Sequence, residues 1–261
     1  MLIDHELRYL AAIICLYSFS EYFVKRLIWK PVPKISPSTI LLQSGLLLAI
    51  LVIGTIGFFS LELLLGYIAV TMIRAFFDLF LRTCKQQRFL EAFIFTQTFI
   101  ILLLVAVWRI VLPVQVHDSY AFIETFILDS FGSVGLYLKQ NATKIFLILS
   151  AYFVMLDGGA KLVRGVLNKF PLLMDKATIP SAGKNENIGE WIGVLERVIT
   201  LTFVVTGSYA AVAFALTAKS IARFKELEDK DFSEYYLLGT FSSVATALLI
   251  GALVQVLIKN F

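Results

Sequence analysis

The sequence predicts an all-α fold: an integral membrane helical bundle of about seven transmembrane helices, with one interfacial or re-entrant helix. Three observations lead to this prediction. Apolar residues make up 59% of the 261 residues, the mean hydropathy is +0.83, and charged residues make up only 16%. Ordinary globular domains are about 45–50% apolar and about 25% charged. The 23 Phe residues suit lipid-facing helices better than a surface exposed to water.

Seven apolar runs supply the predicted spans, since a helix needs about 20 mostly apolar residues to cross a bilayer. In chain order they are Leu7–Trp29, Thr39–Phe58, Leu61–Leu81, Phe89–Leu112, Ile145 to about Val166, Ile192–Ala218 and Tyr235–Ile258. We predict one transmembrane domain over residues 1–261. Spans 1–4 fall in 1–113, an outer amphipathic loop in 114–143, and spans 5–7 in 144–261.

Polar and turn-forming residues set the limits of these runs. The first run is diluted by polar residues such as Glu21 and Lys25, and it ends at Pro31. The second and third runs form a helical hairpin because only Phe59 and Ser60 separate them. In the second half, Asp157-Gly158-Gly159 marks the weakening end of the fifth run, and residues 171–190 are predicted as a flexible inner loop.

The segment Ala121–Leu138 is apolar but too short and too charged to span the bilayer. It fits an amphipathic helix on the outer leaflet or a re-entrant segment. Together with Asp118, its residues Glu124 and Asp129 would form an acidic ring at a pore mouth in a symmetric homo-oligomer. The alternative is a solvated face of an interfacial helix, where exposed carboxylates contribute little energy.

The basic residues indicate orientation in the bilayer. Of the 23 Lys and Arg residues, 13 fall on one side of the predicted spans, 8 on the other, and Arg74 and Arg197 within spans. The positive-inside rule then predicts an inner (plasma) membrane protein with its N-terminus outside and its C-terminus inside. The first run has an acidic lead and no cleavage site, so we expect it to stay as an anchor. Four basic residues contradict this topology: Lys219, Arg223, Lys225 and Lys230.

The third span carries a polar stripe. Tyr67, Thr71, Arg74 and Asp78 follow one another at spacings of four, three and four, which places them on one helix face. An ionised group in mid-span should face protein or water, so the stripe is a candidate lining of an ion or substrate path. The alternative is an Arg74–Asp78 pair that only neutralises itself in a packed bundle. Gln97, in the fourth span, is expected to face this stripe.

Two runs of small residues predict close helix packing, within one chain or between copies. The seventh span has Gly239, Ser243, Ala247 and Gly251, and the sixth has Gly207, Ala211 and Ala215. No nucleotide-binding, serine hydrolase or zinc protease motif occurs, and the two Cys and two His residues provide no metal framework. We therefore expect a protein that is not an enzyme and has no metal, no cofactor and no nucleic-acid partner.

Three stretches in the last third of the chain stand out in combination: Ile188–Arg197, Ala218–Phe224 and Glu234–Thr240. Together they resemble a family of bacterial polytopic membrane proteins known only as a domain of unknown function. The residues that carry the resemblance are Glu196, Arg197, Lys219, Arg223 and Glu234.

The first half of the chain departs from that family. Such proteins usually have two His–Asp pairs in their spans and a Gln followed by His. In this chain the first His–Asp pair corresponds to Ile14 and Ser18, and the second corresponds to Arg74 and Asp78. The Gln and His correspond to Gln97 and Ile100. The resemblance therefore implies a relative that kept the scaffold and lost any His-dependent activity.

From these features we expect an oligomeric channel-like protein, or a membrane effector controlled by a partner or signal. The alternatives are a secondary transporter, or a membrane-embedded enzyme that uses Arg74, Asp78 and Gln97. The expected partners are the lipid bilayer, further copies of the chain, and a signalling protein or small ligand.

Overall fold

The computed structural model describes residues 2–28, 37–55, 61–83, 88–111, 119–171 and 186–259. Within these residues all regular structure is helical, as the sequence predicts. The chain divides into two compact units. Unit 1 consists chiefly of Met1–Cys84 and Glu91–Ser150, and unit 2 consists of Lys85–Leu90 and Ala151–Asn260.

Eleven helical segments make up the framework of the described residues. Their bounds are α1 Leu2–Ser18, a π-helical turn Phe19–Val24, α2 Lys25–Ile28, α3 Pro37–Gly54, α4 Leu61–Thr83, α5 Phe89–Val111, α6 Ser119–Leu167, α7 Glu186–Val205, α8 Tyr209–Ala222, a 3-10 turn Glu226–Glu228 and α9 Lys230–Lys259. The long helix α6 is interrupted at Gly132, whose φ of 51° and ψ of −121° are not helical. A glycine suits this position because it has no β-carbon to clash at positive φ.

Five described helices are long and apolar enough to cross a membrane, so the chain is a membrane protein. They are Leu7–Leu27, Leu61–Leu81, Phe89–Ile110, Gln140–Leu167 and Lys230–Lys259. The second predicted run is represented by a shorter apolar helix, Ser38–Gly54. Seven spans are therefore not established. Asp157-Gly158-Gly159 lie inside α6, whose end at Leu167 agrees with the predicted end of the fifth run near Val166.

The first helix forms the centre of unit 1. Its residues Tyr9, Ile13 and Tyr17 are buried against a cluster from three neighbouring helices. Those partners are Leu47 and Leu51 of α3, Leu63, Tyr67 and Val70 of α4, and Ile100, Leu104 and Trp108 of α5. Large apolar side chains such as Met72 and Phe76 cover the outside of α4, as expected for a helix in lipid.

In unit 2 the predicted sixth span is wrong as a single helix. The chain leaves α7 at Val205 and turns at Gly207, whose φ of 75° favours glycine. It then returns as α8, so α7 and α8 form an antiparallel hairpin. At one end of this hairpin the Tyr209 hydroxyl donates to Gln255 Oε1 at 3.0 Å, and Gln255 Nε2 donates to the Val204 carbonyl at 2.6 Å. The C-terminal ends of α7 and α9 therefore lie together.

Candidate functional site

The candidate site lies inside unit 1, around the guanidinium group of Arg74. Its Nη2 atom lies 2.6 Å from Glu21 Oε2 and 2.8 Å from Asp78 Oδ2. The Arg74–Asp78 contact is the pair that the i,i+4 spacing on α4 predicts. Glu21 comes from the π-helical turn after α1, so the shorter of the two ion pairs joins two helices.

Lys25 completes the arrangement from α2. Its Nζ atom lies 2.8 Å from Glu21 Oε1 and 3.3 Å from Asp78 Oδ2. Each cation therefore contacts both carboxylates, and the four side chains form a closed ring with no net formal charge. We call Glu21, Lys25, Arg74 and Asp78 the charge cluster.

Burial is graded across the charge cluster. The side chains of Arg74 and Glu21 are only 2% and 3% exposed, whereas those of Lys25 and Asp78 are 16% and 21% exposed. Burying an unpaired charge is very costly, so Arg74 and Glu21 depend on each other inside the unit. The cluster thus extends from the interior of unit 1 towards its surface.

Gln97 lies close to the charge cluster on the side of α5. The hydroxyls of Tyr17 and Tyr22 both donate to Gln97 Oε1, each at 2.9 Å. Tyr17 and Tyr22 are five residues apart, a spacing that an α-helix does not bring to one face. The wider π-helical turn between Phe19 and Val24 permits both contacts, and such turns occur frequently at functional sites.

The structure places all five residues predicted from the polar stripe in unit 1. Tyr67, Thr71 and Arg74 are buried, and Asp78 and Gln97 are partly exposed. Sequence reasoning missed Glu21 and Lys25, because they appeared only to dilute the first apolar run. The signal that identifies them is two opposite charges at i,i+4 spacing in an otherwise apolar helix.

A second group of charged residues lies in unit 2. Glu196 accepts a contact from Lys219 Nζ at 2.6 Å, and the same Nζ lies 5.3 Å from the centre of the Tyr236 ring. Arg197, 5% exposed, donates from Nε to the Met155 carbonyl at 3.2 Å. These contacts connect α6, α7, α8 and α9.

The two other residues that carry the family resemblance form looser pairs. Arg223 lies 3.4 Å from Glu226, and Lys230 lies 4.0 Å from Glu234. All four side chains are exposed, so these pairs contribute little to stability.

The small residues of α9 pack within the chain. Ser243, Ala247 and Gly251 are buried, and a β-carbon added at Gly251 would lie 2.5 Å from Val204 Cγ1 of α7. Gly239 has more room, since its added β-carbon would lie 4.0 Å from Leu167.

The predicted small-residue ridge of the sixth span is not formed as expected. Gly207 lies in the turn between α7 and α8, and a β-carbon there would meet nothing within 4 Å among the described residues. Ala211 and Ala215 follow on α8, and both are partly exposed. A glycine outside a helix cannot contribute to a helix-packing ridge, so this prediction is corrected.

The structure does not describe the side chains of the predicted acidic mouth. Asp118 falls outside the described residues, and Glu124 and Asp129 lie in α6 at positions whose side chains are not described. No group of three His, Cys, Asp or Glu residues suited to a metal ion occurs in the described part of the chain.

Comparisons with protein-family models, curated proteins and solved structures found no match to this chain. The resemblance to a bacterial family of unknown function stays a prediction from the three C-terminal stretches.

Proposed function

We propose that the protein is a channel-like membrane component in which the charge cluster of unit 1 closes a conduction path. The observation that carries this proposal is the 2.6 Å contact between Glu21 and Arg74, which joins two helices while both side chains are almost fully buried. A second partly exposed bridge, Lys25 to Asp78, links the same segments.

The physical argument depends on the cost of separating these charges. An ionised side chain in the hydrocarbon region costs about 3 kcal/mol on insertion scales, and more by other estimates. In the closed cluster every charge has an opposite partner. If α4 moves away from the first helix, the separated charges need water, so opening and hydration of the interior occur together.

All members of the charge cluster come from one chain, so the proposed path belongs to each subunit. We propose separately that the protein forms a homo-oligomer. We also propose that a signalling protein or a small ligand controls it. The acidic residues Asp118, Glu124 and Asp129 are proposed to raise the local cation concentration at the outer mouth. Changing all three to Asn or Gln tests this, since any effect on flux should be largest at low ionic strength.

For orientation, we infer that the basic end of unit 2 faces the cytoplasm of a bacterial inner membrane. The α7–α8 hairpin brings the chain back to the end of unit 2 where α6 finishes. Lys219 and its basic neighbours therefore lie at that end. Eight described basic residues lie there, against Lys259 alone at the opposite end of α9: Arg88, Lys161, Arg164, Lys169, Lys219, Arg223, Lys225 and Lys230. This supports an outer C-terminus and replaces the inner C-terminus expected from sequence. The outer N-terminus remains as proposed from sequence.

The proposed function is tested by ion flux from liposomes that contain the purified protein. Glu21→Gln removes the buried cross-helix ion pair with little change in shape, and it should increase passive ion leakage. Glu62→Gln makes the same chemical change at an exposed position of α4 and is the matched control. The comparison uses equal amounts of folded protein. If liposomes with either variant leak ions no faster than liposomes with the unmodified protein, the cluster does not close a path.

The second candidate is a secondary transporter, or an enzyme, that uses Arg74, Asp78 and Gln97. The convergence of two tyrosine hydroxyls on Gln97 Oε1 favours it, because these contacts fix the orientation of the amide, whose Nε2 group can then donate to a small solute. Interrupted helices, such as α6 at Gly132, also occur in transporters. Saturable uptake or turnover of a solute that Gln97→Glu abolishes, with no passive ion leakage in Glu21→Gln, favours this candidate over the channel.

A further inference from the structure

Two membrane spans meet in unit 2, at the end where one begins and the other finishes. The span Phe89–Ile110 begins one residue after Arg88, and the span Gln140–Leu167 ends three residues after Arg164. The side chains of both arginines are exposed. Because the ends of a span lie at the lipid headgroups, both cations are at headgroup level.

The contact between the two spans is made at Gly165 of α6. A β-carbon added there would lie 2.9 Å from Leu90 Cδ1 and 3.3 Å from Leu90 Cα, so the two backbones approach closely. Arg164 Cα lies about 4 Å from Gly165 Cα, and Arg88 Cα lies no more than about 8 Å from Leu90 Cα, because consecutive α-carbons are about 3.8 Å apart. The two guanidinium groups can therefore approach one headgroup from different helices.

The described residues around this contact carry an excess of positive charge. Lys161 and Lys169 lie one turn before and one turn after the contact on α6. Lys161 Nζ lies 2.6 Å from Asp157, so this cation already has a carboxylate. The other acidic residue within about two turns on α5 and α6 is Glu91. With the two arginines included, the net formal charge around the contact is +2.

The two arginines form no ion pair with a residue that the structure describes. Arg164 donates from Nε to the Ala160 carbonyl of its own helix, at 3.4 Å, and Arg88 has no carboxylate partner. A guanidinium group presents its N–H donors in a fork that fits two oxygens of a phosphate. Arg88 and Arg164 are thus available to an anionic partner.

The position of the contact selects a phospholipid as this partner. At the ends of membrane spans, the nearest phosphates are those of the bilayer itself. Basic pockets between transmembrane helices bind anionic headgroups, and each cation near the membrane surface adds to their attraction. A zwitterionic headgroup has the same phosphate but no net charge, so it gains less from an excess of positive charge.

We propose that the contact between the start of α5 and the end of α6 binds the phosphate group of an anionic phospholipid, held by Arg88 and Arg164. The bound lipid connects the two helices at the membrane surface. This headgroup site does not depend on the conduction or the orientation proposed above.

Thermal unfolding of the purified protein in a neutral detergent, with lipid added in steps, tests the headgroup site. Phosphatidylglycerol should raise the melting temperature, and phosphatidylcholine should raise it much less. Arg88→Gln and Arg164→Gln should each weaken the apparent affinity for phosphatidylglycerol about five-fold, which corresponds to about 1 kcal/mol for one cation at the headgroups.

Arg109→Gln is the matched control. It removes an exposed cation from the opposite end of α5, where the guanidinium carbon lies 5.9 Å from the centre of the Trp108 ring, and it should leave the affinity for phosphatidylglycerol unchanged. If Arg109→Gln weakens binding as much as Arg88→Gln does, the lipid is attracted to the whole protein and the site is rejected.

Two further results would overturn the proposal. Equal stabilisation by the two lipids would show that the headgroup charge is not recognised. Inorganic phosphate that stabilises the protein as well as phosphatidylglycerol at the same concentration would show that a soluble phosphate is the ligand. Native mass spectrometry of the unmodified protein needs no variant, and retention of phosphatidylcholine as often as phosphatidylglycerol would also reject the site.

Discussion

Among the described residues, each unit buries one arginine in a helix, and the two arginines are accommodated in different ways. In unit 1, Arg74 contacts two carboxylates, one of them on another helix. In unit 2, Arg197 donates to the Met155 carbonyl of α6. Room for its side chain comes from Gly159, where an added β-carbon would lie 2.8 Å from Arg197 Cδ.

This difference separates an electrostatic connection from a packing connection. The contacts of Arg74 depend on the charges of its neighbours, so a change in charge can break them. The hydrogen bond from Arg197 Nε ends on a backbone carbonyl, and it depends on the shape of α6 at Gly159. We therefore expect the contacts of Arg74 to respond to changes in charge and the Arg197–Met155 hydrogen bond to respond to changes in side-chain volume.

The largest effect is expected in the charge cluster. Arg74→Gln removes one partner of a buried pair and should lower the free energy of unfolding by about 3–5 kcal/mol, because Glu21 loses its closest cation. Glu21→Gln combined with Arg74→Gln should cost less than the sum of the two single changes. Thermal unfolding of the purified variants in detergent measures both quantities. Strict additivity of the two changes would show that the contact carries no coupling energy.

An overpacking effect of about 1–3 kcal/mol is expected where α9 meets α7. Gly251→Ile places branched carbons against Val204, where even a β-carbon is too close. Gly239→Ile, in the same helix, has space and serves as the control. Melting temperatures of the two variants provide the comparison, and an equal decrease in both would mean that helix propensity, not packing, is responsible.

A change in volume beside Arg197 should have a similar or smaller effect, about 1–2 kcal/mol. Gly159→Leu displaces the arginine side chain from the position in which it reaches the Met155 carbonyl. Gly189→Leu places the same residue in α7, where an added β-carbon meets nothing within 4 Å among the described residues. Similar melting temperatures for the two variants would show that Arg197 adapts freely, contrary to the distinction drawn between the units.

The smallest effect is expected for Lys219→Gln in unit 2. Lys219 and Glu196 are 26% and 32% exposed, so their ion pair should contribute no more than about 1 kcal/mol, including the contact with the Tyr236 ring. This contribution should decrease as salt is added, since exposed charges are screened. Denaturation at low and high salt measures it, and a loss as large as that for Arg74→Gln would remove the distinction between the two sites.

Composition and hydropathy were sufficient to predict the helical membrane fold, because long apolar runs permit little else in a bilayer. They did not predict the hairpin of α7 and α8. The run Ile192–Ala218 is mostly apolar apart from Glu196 and Arg197 near its start, and its break occurs at Thr206-Gly207-Ser208, residues that a membrane helix also tolerates. The basic residues from Lys219 to Lys230 did carry the signal, since they contradicted the positive-inside rule in the seven-span topology.

Only the part of the candidate site that lies within one helix could be predicted from the sequence. Helical spacing places Arg74 and Asp78 on one face of α4 whatever the rest of the fold, so that pair followed from the sequence alone. Glu21 is 53 residues away from Arg74, and their contact depends on how α1 packs against α4. The π-helical turn that presents Glu21 and Tyr22 has no sequence signal that distinguishes it from an ordinary α-helix.

The central claim is that the charge cluster holds the interior of unit 1 closed, and the most direct test is the chemical accessibility of Thr71. This residue lies one turn from Arg74 on the same buried face of α4. Thr71→Cys, in a chain whose Cys15 and Cys84 are changed to Ser, should resist a small water-soluble thiol reagent. It should react once Glu21→Gln is added, and remain unreactive with Glu62→Gln. Equal reactivity of the cysteine in all three backgrounds would contradict closure of the interior by the cluster.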